Sequence, residues 1–196
     1  MKDESIPPGP HLEIADTFLN HTVLRFIPDA VSPNSVTVVR FLSVPLVAWL
    51  LLEHNYAWGA LVFALSAFTD ALDGALARTR NQITHWGKLA DPFADKLLIG
   101  TTALILVTRF VSFEVAVIIV SIELLLIARA AYLYSHKQRA GANAMGKVKM
   151  VLQSVALFSL FVYATTGIPF YLSFALYGLN AAILAALVSL VTAPAP

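Results

Sequence analysis

The chain has 196 residues, 58% hydrophobic and only 13% charged, with a formal net charge of +1 and a mean hydropathy of +0.75. Soluble domains carry about 25% charged residues, so this chain lacks the polar groups to cover a water-facing surface, and lipid must be its main solvent. No long basic run points to nucleic acid, and the absence of cysteine excludes disulfides and thiol chemistry.

The chain opens Met1-Lys2-Asp3-Glu4, followed by Pro7, Pro8 and Pro10. No basic start runs into an apolar core, so no cleavable signal peptide is expected and the first span should also direct insertion. Between His11 and Ile27 the apolar Leu12, Ile14, Phe18, Leu19, Val23, Leu24 and Phe26 alternate irregularly with Glu13, Asp16, Asn20, His21 and Arg25. That mixture is too polar to span a bilayer. It predicts a short amphipathic helix on the membrane surface, with a soluble cap packed on the bundle as the alternative. Residues 1–33 thus form an N-terminal tail and surface helix, closed by Pro28 and Pro33.

Six hydrophobic stretches follow, near Ser35–Leu52, Ala57–Arg78, Gly87–Arg109, Phe113–Tyr134, Gly146–Thr166 and Phe170–Val191. Each is long enough for a hydrocarbon core that takes about 20 helical residues. The connections between them are too short to hold a soluble domain, so residues 34–192 are expected to form one all-α bundle of six transmembrane helices. Lys and Arg favour cytoplasmic loops. Arg78, Arg80 and Lys88 border the second connection and Lys137, Arg139, Lys147 and Lys149 the fourth, whereas the opposite face has only Arg109. Both termini and the loops 79–86 and 135–145 are therefore expected to face the cytoplasm.

Acidic residues within spans are costly, and each is a functional hypothesis. Four of the 12 acids fall within Asp70–Asp95, reading Asp70-Ala-Leu-Asp73-Gly74-Ala-Leu-Ala77-Arg78, eight residues, then Gly87-Lys-Leu-Ala-Asp91-Pro-Phe-Ala-Asp95. Helix positions three or four apart share a face. Asp70 and Asp73 should therefore project together from the second span, and Asp91 and Asp95 from the third, which the loop from Thr79 to Trp86 lets return beside the second. Four carboxylates in one pocket repel one another. Divalent cations relieve that repulsion, and oxygen-only ligands suit Mg²⁺ or Mn²⁺. Gly74 leaves a flat surface where a phosphate or nucleotide can approach the backbone, and Arg78 stands one turn on, placed to pair with a phosphate oxygen.

Other classes fit less well. A transporter would also use intramembrane aspartates, but such carriers often show inverted repeats or helices broken at the midplane, and these aspartates sit at the cytoplasmic ends of their spans. A structural salt-bridge cluster needs cations in comparable number, and the sequence puts only Arg78, Lys88 and Lys96 close by. An intramembrane prenyltransferase would carry two Asp-rich motifs on distant helices, not one helix–loop–helix.

The pattern D-x-x-D-G-x-x-A-R-x8-G-x-x-x-D-x-x-x-D, complete in this chain, resembles the signature of the CDP-alcohol phosphotransferases. The resemblance extends over about residues 30–190 and implies that Asp70, Asp73, Asp91 and Asp95 hold two divalent metals. It implies further that these bind the diphosphate of a CDP-linked lipid, CDP-diacylglycerol, and that Asp95 is the base that deprotonates the acceptor hydroxyl, with CMP leaving. Asn34 and Thr37, within Ser32-Pro33-Asn34-Ser35-Val36-Thr37, and Thr84 match positions that contact the cytidine end in relatives. Asp91-Pro92-Phe93-Ala94-Asp95-Lys96 and Gly146-Lys147-Val148-Lys149 with Gln153 resemble the phosphatidylglycerophosphate synthase subgroup and, for the first, the related cardiolipin synthases. One departure is that Arg129 is followed by Ala130, where such synthases often carry Arg-Glu.

Arg129, Arg139, Lys147 and Lys149 near the cytoplasmic end suit the phosphate of an anionic acceptor such as glycerol 3-phosphate. For the loop residues Lys137 and Arg139, positive-inside topology and attraction to anionic headgroups explain the charge equally well. The implied activity is transfer of a phosphatidyl group to glycerol 3-phosphate, with phosphatidylglycerol or inositol phosphate as other acceptors. The resemblance also suggests a homodimer, in a bacterial inner membrane.

Overall fold

The computed structural model describes residues 33–79, 85–135 and 144–192, with side chains at 33–37, 70–79, 85–92, 130, 134–135, 144 and 192 outside that description. The surface helix expected within residues 11–27 also lies outside the described residues. Six helices occupy the described chain, and no strand is present among them: α1 Pro33–Leu52, α2 Tyr56–Thr79, α3 His85–Phe110, α4 Phe113–Ser135, α5 Ala144–Thr166 and α6 Pro169–Thr192. Each covers the hydrophobic stretch expected at its place. Three contain segments long and apolar enough to cross a bilayer, Phe113–Leu133, Met145–Thr166 and Pro169–Val191, and α1 and α2 contain the shorter apolar stretches Val38–Leu52 and Tyr56–Thr69.

Tight turns connect the helices away from the aspartates. At the end of α1 the chain turns through His54, in the left-handed region at φ 61°, while the Asn55 amide donates to the Leu50 carbonyl at 2.8 Å. A non-glycine residue there costs about 1–2 kcal/mol. The His54 ring accepts from Arg109 at the end of α3 (Nη1 to Nδ1 3.0 Å), and the guanidinium lies 5.7 Å from the centre of the Tyr56 ring. Gly167 at φ 69° closes α5, its amide donating to the Tyr163 carbonyl at 2.8 Å. Glycine takes that backbone conformation without steric penalty.

The core is built from Val47 and Leu51 of α1, Phe63 of α2, Leu98, Ala103 and Leu106 of α3, Ala116 of α4, Leu157 and Phe161 of α5 and Leu179 of α6. Phe63 meets Phe161 with ring centres 5.5 Å apart. α5 and α6 form the most extensive pair. Small residues allow this: a methyl added at Gly178 would sit 2.9 Å from the Ala156 Cβ, the close backbone approach that small residues permit between membrane helices.

The distribution of polarity is the reverse of a soluble protein's. Leu42, Trp49, Trp58, Leu124, Phe170, Tyr177 and Val191 are exposed, while Arg40, Glu123, Lys149 and Gln153 are buried. An apolar exterior suits lipid, where interior polar groups must find partners within the bundle. The protein is an all-α, multi-pass membrane bundle.

The first helix organises the half that carries the aspartates. α1 packs extensively against both α2 and α3, which touch each other only sparingly. The Ser43 and Ser66 hydroxyls join α1 to α2 at 2.7 Å. The sequence suggested that α3 returns beside α2; the two helices do touch, and α1 is the most extensive neighbour of both, with α3 packing on α4 as well.

Candidate active site

The signature motif is carried by two helical segments. Asp70, Asp73, Gly74 and Arg78 lie in the C-terminal part of α2, and Asp91 and Asp95 in the N-terminal half of α3. The helical spacing puts Asp70 and Asp73 on one face, and Asp91 and Asp95 likewise. Side chains at Asp70, Asp73, Gly74, Arg78 and Asp91 lie outside the described residues, as do those of Asn34 and Thr37 at the start of α1. Thr84 and Arg139 lie outside it altogether.

Asp95 is the one motif aspartate whose side chain is described. It is 14% exposed, and its Oδ1 lies 2.9 Å from Nη1 of Arg40, which is fully buried. Arg40 thus brings α1 into the site. A buried guanidinium needs a carboxylate, and a carboxylate in an apolar bundle needs a cation. The sequence puts Arg78, Lys88 and Lys96 near the aspartates; the structure adds Arg40 in direct contact. An arginine within an apolar span was the available signal.

The candidate acceptor residues are divided. Lys147, early in α5, is exposed. Arg129, half-buried near the end of α4, donates from Nη1 to the Leu190 carbonyl of α6 at 2.7 Å. Lys149 is buried, and its ammonium pairs with Glu123 of α4. The structure therefore puts Lys149 in the interior, engaged by a carboxylate, and not on a surface open to an acceptor. Glu123 is a second residue that sequence reasoning missed, although an acid midway along an apolar helix carries the same warning as Arg40.

Among the described residues no group of three or more His, Cys, Asp or Glu side chains could hold a metal ion. The motif itself nevertheless offers a fitting donor set, since four carboxylates with no histidine or cysteine are the hard oxygen ligands that Mg²⁺ and Mn²⁺ take.

Comparison with known proteins agrees with this arrangement. The model of the CDP-alcohol phosphatidyltransferase family matches residues 30–192. The chain is 32% identical over 139 residues to the CDP-diacylglycerol–glycerol-3-phosphate 3-phosphatidyltransferase of Rickettsia typhi (strain ATCC VR-144 / Wilmington), a match covering 69% of this chain and 78% of that protein. To the enzyme of the same name from Bacillus subtilis (strain 168) it is 29% identical over 161 residues, 71% of this chain and 79% of that one. A cardiolipin synthase (CMP-forming) from Streptomyces coelicolor (strain ATCC BAA-471 / A3(2) / M145) is 40% identical over 105 residues, 50% of this chain and 46% of the relative. The chain belongs to the CDP-alcohol phosphatidyltransferase family. It is a membrane-embedded enzyme of phospholipid biosynthesis.

Proposed function

We propose that the protein transfers the phosphatidyl group of CDP-diacylglycerol to glycerol 3-phosphate, giving phosphatidylglycerophosphate and CMP. The observation that carries this reading is the buried pairing of Asp95 with Arg40. The last aspartate of the motif meets a guanidinium inside an apolar bundle, and as a carboxylate it would accept a proton. In the proposed reaction the acceptor hydroxyl gives its proton to Asp95, and its oxygen bonds to the phosphorus that carries diacylglycerol. The bond from that phosphorus to the bridging oxygen breaks, and CMP departs with the electron pair.

Asp70, Asp73, Asp91 and Asp95 would hold two divalent cations, Mg²⁺ or Mn²⁺, which when bound neutralise charge developing on the attacking and leaving oxygens. Arg78 would pair with the diphosphate, Gly74 would let it approach α2 closely, and Asn34, Thr37 and Thr84 would hold the cytidine end. Lys147 and Arg129, with Arg139, would attract the acceptor phosphate. The excess of Lys and Arg on one side supports a cytoplasmic active site, with both termini there and the bundle in a bacterial inner membrane. Family kinship also supports a homodimer.

Purified enzyme given CDP-diacylglycerol and a panel of alcohols tests the reading by CMP release. Glycerol 3-phosphate should be the preferred acceptor. Release with phosphatidylglycerol and not with glycerol 3-phosphate would replace it with the cardiolipin synthase reading, which the Streptomyces relative supports. For orientation, single cysteines at Gln82 and Ala142 should react with impermeant thiol reagents from the cytoplasmic side, and one at Glu53 from the other. The reverse pattern would reject a cytoplasmic site.

A further inference from the structure

Glu123 lies midway along α4, and its Oε1 accepts from the Lys149 ammonium of α5. Both side chains are buried. α4 and α5 both pack against α3, the helix that carries Asp95. Gln153 follows Lys149 by one helical turn and is 1% exposed. Glu123, Lys149 and Gln153 line a cavity of about 10 Å³ between α4, α5 and α6, which is room for about one water molecule. Glu123 Oε2 and both polar ends of the Gln153 amide have no protein partner, so a single water there could bond to all three.

An ion pair of this kind is a poor way to stabilise a bundle, because well-packed apolar side chains of the same volume are often as good or better. Its position suggests another use. It ties α4 to the start of α5, two residues from Lys147, and both helices pack against α3, which carries Asp95. In the proposed reaction the hydroxyl of the acceptor reaches Asp95 while its phosphate reaches Lys147. The residues proposed for the CDP-lipid, on α1, α2 and early α3, lie outside the ion pair.

We propose that Glu123 is a positioning residue for the acceptor: by holding Lys149 it fixes the start of α5, with Lys147, relative to α3 and Asp95. This rests on the phosphatidyltransferase reading above, though not on the identity of the acceptor.

The test uses full-length enzyme in detergent–lipid micelles, with KM measured separately for the acceptor and for CDP-diacylglycerol. Glu123→Gln should raise the acceptor KM by about tenfold or more, the effect of weakening a hydrogen bond to a charged group. The KM for CDP-diacylglycerol should be unchanged, and Glu123→Asp should recover part of the loss. In a Lys149→Met background, Glu123→Gln should add nothing further, because residues acting through one contact are not additive. Gln153→Leu should give a smaller rise of the same kind. If Glu123→Gln lowers the melting temperature and leaves both KM values alone, or raises both equally, the residue is structural and the proposal fails. It also fails if the Glu123 and Lys149 effects multiply independently. Should Glu123→Gln not fold, Glu123→Asp carries the same KM comparison, and an unchanged acceptor KM there rejects the idea. If the wild type ignores glycerol 3-phosphate but uses another alcohol, the acceptor assignment falls and this series is read with that alcohol. If no alcohol releases CMP, the reaction itself is wrong, and the proposal goes with it.

Discussion

Among the described residues two ion pairs join helices in the interior, Arg40 with Asp95 and Glu123 with Lys149, and they differ in how they can be found. The first joins α1 to α3 and contains one member of a spaced motif. The second joins α4 to α5 and belongs to no motif around its acid. In both, one half is a charge that a membrane span should not carry without reason. Spacing along the chain exposes acids that share a helix face, but it is silent about a partner from another helix. The lesson is that an isolated intramembrane charge deserves the same weight as a clustered one.

The largest expected effect lies with the aspartates that have no such pairing in the proposed scheme other than metal. Asp70→Asn, Asp73→Asn or Asp91→Asn should each abolish CMP release, and EDTA should silence the wild type until Mg²⁺ or Mn²⁺ is restored. Full activity in chelator would remove the metal reading. Asp95→Asn should lower kcat by about 10²–10⁴, the usual worth of a positioned base, while CDP-lipid binding persists in part.

Breaking the two pairs sharpens the contrast. Arg40→Met and Glu123→Ala each remove one partner of an interior ion pair, and each should destabilise the folded bundle by about 3–5 kcal/mol, read as a lower melting temperature in detergent. Only Arg40→Met should also reduce kcat per folded molecule, since Asp95 is the group it touches. Equal effects on kcat would erase the distinction. Next, Lys147→Ala should raise the acceptor KM by one to two powers of ten, about 1.5–3 kcal/mol for a lost bond to a charged group, with little change for CDP-diacylglycerol. The smallest effect is expected where no charge is involved. Gly178→Ala would press a methyl against Ala156 and should cost about 1–3 kcal/mol of stability by overpacking, with activity per folded molecule intact.

Helix positions were legible because each span is a long apolar run ended by proline, glycine or charge, and α1 through α6 fall on those runs. The aspartate motif was legible for a different reason, its fixed spacing on helical faces. Packing order was not. Nothing along the chain says that α1 lies against both α2 and α3, because that depends on which apolar faces fit together. The burial of Arg40, and of Lys149 expected at the acceptor phosphate, therefore could not be read along the chain. Glu123 escaped because a single acid in an otherwise apolar stretch barely changes the average hydropathy of its helix.

The seat of Arg40 also bears on how the chain enters the membrane. α1 is synthesised before α3, so Arg40 reaches the bilayer when Asp95 does not yet exist. An arginine costs up to about 2.5–3.5 kcal/mol at the centre of an inserting helix and less towards its ends, and α1, with Arg40 near the start of its apolar stretch, must carry its share of that cost until α3 arrives to cover it. Its first residence in the lipid is provisional. A nascent chain stopped after α2 should integrate less completely than one extended through α3, as glycosylation or protease protection would report. The carboxylate proposed as the base thus has a duty in biogenesis: its arrival turns a tentatively inserted first helix into a settled one.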